Sequence, residues 1–89
     1  MKDRMERPNP KEAYLMRVRG LIKEVYSGLG GRSEELVIIH DFQAFKVKRA
    51  DKEVIIVQSI FDDYFRDDGR EAKESCVRKI KENLKNLME

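Results

Sequence analysis

The sequence predicts an α+β fold, a helix at each end with a small antiparallel sheet between. Three observations carry that expectation. Apolar residues recur at helical spacing in the first and last thirds, β-branched runs fill the middle third, and cap or turn residues separate the segments. The expected order is an N-terminal helix, two or three strands (about 35–40, 43–49 and 53–60) and a C-terminal helix, both helices on one sheet face.

Residues 1–8 are polar and lack periodicity, so they read as a flexible tail, with residues 9–89 as a single α+β domain. Asn9-Pro10-Lys11-Glu12 is a helix start: Asn9 caps free amides, Pro10 suits the first helical position, and Glu12 completes a capping box. Leu15, Val18, Ile22, Val25 and Leu29 then form one stripe, widened by Tyr14, Leu21 and Tyr26. Gly28, Gly30 and Gly31 stop the helix, because glycine adopts a left-handed backbone without penalty.

Leu36-Val37-Ile38-Ile39 and Val54-Ile55-Ile56-Val57 are short β-branched runs. The segment Phe42-Gln43-Ala44-Phe45-Lys46-Val47-Lys48 alternates as a half-buried strand does, with Phe42 and Phe45 read as core. A turn at Ala50-Asp51 would set Lys48 opposite Glu53, Val47 opposite Val54 and Phe45 opposite Ile56. That dipeptide is not a favoured two-residue turn, so a longer loop stays open. Asp62 to Gly69 reads as a polar connection carrying Tyr64 and Phe65, and Asp68 with Glu71 as a second capping box. Val77, Ile80, Leu84 and Leu87 mark the last helix.

Both four-residue runs are apolar on both faces. Two helices cover one face, and a second copy of the chain is the simplest cover for the other, so a homodimer is expected. Met16 beside Gly20 on the first helix would suit a partner interface, with the chain itself or with another protein.

Charged residues make up 40% of the 89 residues, against about 25% in an average domain, yet the net charge is only +2. The near balance argues for a folded chain over a disordered one. Abundant Lys, Arg and Glu with few amides is a tendency of heat-adapted proteins. A lone Cys76 forms no internal disulfide, and the apolar runs are far too short for a membrane span, so a cytoplasmic protein without membrane contact is expected.

Signals for chemistry are sparse. His40-Asp41 could form a base, but no nucleophile accompanies it, and Cys76 sits at the edge of an apolar stripe as a packed thiol. Asp62, Asp63, Asp67 and Asp68 could hold a hard cation, although their spacing fails the Ca²⁺-loop pattern and helix capping explains Asp67 and Asp68. The glycines at 28–31 follow a helix, whereas a phosphate cradle precedes one. No cofactor motif is read. Lys46, Lys48, Arg49 and Lys52 cluster at a hairpin tip, and Arg17, Arg19 and Lys23 add to a basic N-terminal third; together they could follow nucleic-acid phosphates. The leading expectation is a non-enzymatic binding or regulatory module acting as a homodimer, with nucleic-acid binding as the alternative and a metal-assisted hydrolase using the four aspartates with His40 as a third reading.

Overall fold

The computed structural model describes residues 10–66 and 69–88. The tail expected over residues 1–8, the Asn9 cap, and Asp67 and Asp68 lie outside them. The order is α1 (Pro10–Gly28), a 3-10 turn (Ser33–Glu35), β1 (Val37–Asp41), β2 (Ala44–Arg49), β3 (Lys52–Val57), α2 (Gln58–Arg66) and α3 (Arg70–Met88). The three strands form one antiparallel sheet in chain order, and the helices pack on one face of it. No helix among the described residues is long and apolar enough to cross a membrane.

α1 ends on a Schellman arrangement. The Gly31 amide donates to the Tyr26 carbonyl (3.1 Å) and the Gly30 amide to the Ser27 carbonyl (3.0 Å), with Gly30 at φ +96°. This turns the chain toward the sheet and lets Gly31 lie against the buried Tyr26 ring.

The sheet follows the expected register. Lys48 faces Glu53, Val47 faces Val54 and Phe45 faces Ile56, so Ala50-Asp51 is the whole connection. Residues 37–41 pair with β2 as a third strand. Two expectations are corrected. Phe42 is not core: with Gln43 it forms the β1–β2 turn, at φ +59° and 84% exposed. Only two residues separate the strands there, so alternation cannot continue through them. The third strand also stops at Val57, and residues 58–66 wind into α2, which replaces the end of the expected strand and the start of the polar connection expected from Asp62. Ile60, Phe61, Tyr64 and Phe65 then share one helical face turned to the core.

Phe45, Val47 and Ile56 project from the sheet into a layer made by Val18 and Ile22 of α1, Phe61 of α2, and Ile80, Leu84 and Leu87 of α3. Phe45 meets Phe61 edge-on, ring centroids 5.1 Å apart. Burying each such side chain contributes about 1.5–3 kcal/mol. Arg49 fastens the edge of this layer, pairing with Glu35 (3.1 Å) and donating to the Leu87 carbonyl (2.8 Å).

Candidate functional site

Strand alternation sends Ile38 and His40, Phe45 and Val47, and Val54 and Ile56 toward the helices. The intervening residues make the opposite face. Across it the rows are Val37–Lys48–Glu53, Ile39–Lys46–Ile55 and Asp41–Ala44–Val57. Val37 and Ile55 are each 54% exposed, Val57 51% and Ile39 40%. These four aliphatics flank two lysines on the central strand, and each lysine leans to a carboxylate on the same face: Lys46 to Asp41 (3.4 Å) and Lys48 to Glu53 (3.9 Å). The face therefore mixes aliphatic side chains with two ion pairs and is electrically neutral, with long lysine stems that can lie over aliphatic neighbours.

Phe42 sits in the β1–β2 turn, at the Asp41–Ala44 end of this surface. A bulky residue at positive φ is strained. Its ring gains little packing in return, being almost fully in solvent.

The residues singled out for nucleic acid do not form one patch. Lys46 and Lys48 lie on the open face in ion pairs, while Arg49 is held by Glu35 and the end of α3. Lys52 stands opposite Arg49. Arg17, Arg19 and Lys23 are exposed on α1, with no carboxylate in ion-pair range among the described residues. Met16 is 62% exposed on α1, and Gly20 has nothing within 4 Å of its Cβ position. Both belong to the helical layer, apart from the open sheet face.

His40 and Asp41 point to opposite faces of β1, as neighbours on a strand must. His40 Nε2 lies 2.9 Å from Gln58 Oε1, and its ring packs 4.7 Å from that of Phe45. Cys76 is buried. Of the four aspartates considered for metal, Asp62 accepts a hydrogen bond from the Tyr14 hydroxyl (2.6 Å) and Asp63 pairs with Arg66 within α2. Among the described residues, no three His, Cys, Asp or Glu side chains gather as a metal site. Desolvation, followed by the bond to Asp62 and its charge, pushes the Tyr14 phenol well above its ordinary range.

Sequence reasoning missed a mainly basic groove beside α2 and α3, lined by Tyr64, Arg70, Lys73, Glu74, Val77, Arg78 and Lys81. Spacings of three and four from Arg70 to Lys81 were a usable signal for one shared helical face. Without α2, nothing placed Tyr64 beside them.

Comparison of the chain with protein-family models, with curated proteins and with solved structures finds no match.

Proposed function

We propose that this chain is a non-enzymatic binding or regulatory module that acts as a homodimer, two protomers packing through their open sheet faces. The observation that carries the reading is the group Val37, Ile39, Ile55 and Val57 on the two outer strands, all half in water on one side of a sheet whose other side packs against the helices. An aliphatic surface of this kind favours association, since removing it from water stabilises the assembly by roughly 25 cal/mol per Å². Its neutrality supports a second copy as the occupant. Lys46 and Lys48 bring their own carboxylates, so two such faces can meet without a net charge being buried. A cytoplasmic setting fits the reading and belongs to the proposal.

Sedimentation velocity at micromolar concentration tests it. The unaltered chain sediments as a dimer, and Ile55→Asp, which places a charge at an exposed site, yields a folded monomer with nearly unchanged helical signal. A stable monomer of the unaltered chain would sink the reading. Nucleic-acid binding stays as the second reading because Arg17, Arg19 and Lys23 stand exposed and unpaired among the described residues. It requires a low-salt gel shift that fades steeply as salt rises.

A further inference from the structure

The groove beside α2 and α3 has a volume of about 550 Å³. That falls within the roughly 300–1,000 Å³ of small-molecule sites. Its cations come in two pairs, Arg70 with Lys73 and Arg78 with Lys81, each spaced three residues and hence neighbours on one helical face. At 1.5 Å of rise per residue the centres of the two pairs stand about 12 Å apart. Between them along the helix lie Val77 and one carboxylate, Glu74, and the Tyr64 ring lies against Lys73. Lys73 is held in place, its ammonium donating to the Tyr64 carbonyl (2.8 Å) and sitting 4.3 Å from the centre of the Tyr64 ring. Arg70, Arg78 and Lys81 have no carboxylate within ion-pair range among the described residues.

We propose that this groove binds a small organic bisphosphate, one phosphate at each cation pair, with a hydroxyl-bearing spacer lying across Val77 and Glu74. The charges match. Each pair carries two positive charges, and a phosphate monoester carries about −1.5 to −2 near neutral pH. Arginine adds a planar fork that grips phosphate oxygens through two parallel hydrogen bonds. Glu74 repels anions from the middle of the groove, which sorts them to its ends, and its carboxylate accepts hydrogen bonds from hydroxyl groups there. Val77 supplies an apolar floor for the carbon skeleton.

A nucleic-acid strand fits less well. The cationic track is broken by Glu74 and is only about 12 Å long between pair centres. The whole chain has a pI near 8.7, below the value above 9 typical of nucleic-acid-binding domains. The groove belongs to the helical layer, so this site stands or falls independently of pairing through the open sheet face.

Isothermal titration calorimetry on the full chain at low salt decides the matter, with fructose 1,6-bisphosphate, inorganic phosphate and a short single-stranded RNA as probes. Two-point attachment predicts that the bisphosphate binds saturably and about tenfold or more tighter than inorganic phosphate. Arg78→Glu and Lys81→Glu each weaken that binding by about tenfold or more, a loss of at least one charge-assisted contact. Arg17→Glu on α1 leaves it unchanged, and all three variants keep the melting temperature of the unaltered chain. Absence of saturable bisphosphate binding up to about 1 mM overturns the proposal. So does equal binding of both phosphates that ignores Arg78→Glu. RNA binding tighter than the bisphosphate, and lost in the same two variants, also overturns it and assigns the groove to a nucleic-acid strand.

Discussion

Tyr14 ties α1 to α2 through one hydrogen bond to Asp62, at 2.6 Å, and its ring also packs edge-on against Phe65. The folded chain holds the phenol proton more tightly than an unfolded chain, whose tyrosines ionise near pH 10. The stabilisation is therefore fully present below about pH 10 and is lost as the pH climbs through the folded-state value. Tyr14→Phe should cost about 1 kcal/mol at neutral pH. It should also flatten the fall in stability between about pH 9 and pH 11, as read by urea denaturation. An equally steep fall in the variant would show that the bond contributes nothing. Strain operates at the same scale in the two turns, where Phe42 (φ +59°) and Ala50 (φ +57°) adopt a backbone suited to glycine. At Ala50 the left-handed conformation costs an L-residue roughly 1–2 kcal/mol. Glycine gives back about 0.5–1 kcal/mol through the entropy of the unfolded chain. Ala50→Gly is therefore expected to raise the urea midpoint, a gain of about 0.5–1 kcal/mol with an unchanged m-value.

Helix termination was legible in the residues, and its packing consequence was not. The glycines at 28–31 announce the end of α1, but only the structure brings Gly31 flat against the Tyr26 ring, where an added Cβ has no room. Gly31→Ala should lower stability by about 1–3 kcal/mol through overpacking. Gly28→Ala, with open space around its Cβ position, should not. Calorimetric melting of the two variants separates them, and equal melting temperatures would contradict the packing account. Strand register was readable because counting outward from Ala50-Asp51 paired Lys48 with Glu53 and Phe45 with Ile56 at once, and a slip of one residue loses both. α2 escaped notice because nine residues give little more than two turns of periodicity, and only two residues separate Ile60 and Phe61 from the apolar run of β3. Phe42 escaped because a two-residue turn normally declares itself by Gly, Asn or Asp, and this one carries Phe-Gln. The basic groove was hidden for a related reason: charges on one helix face look solvated until a neighbouring helix supplies a wall.

At the scale of the molecule, three helices serve one side of the sheet and leave Val37, Ile39, Ile55 and Val57 to the other. That some aliphatic residues would face away from the helices was visible in the two runs that are apolar on both faces, although which ones depended on the register. Phe42 stands at the end of that surface, beside Asp41 and Ala44. If its strain is retained for association, Phe42→Gly should make each protomer more resistant to denaturant while weakening the dimer. Equilibrium sedimentation of the variant alongside its urea curve checks both halves, and a dimer as tight as the parent removes Phe42 from the interface. The strand order bears on how the chain assembles. Each strand pairs with its neighbour in sequence across a two-residue connection, so the sheet can zip up locally without closing a long loop. Contact between α1 and α3, by contrast, must close over the entire sheet and carries the larger entropic cost. A newly made chain would thus own a formed sheet before its helices have docked, with greasy strands uncovered on both sides, and helix docking would then compete with any pairing between chains for the same β-segments.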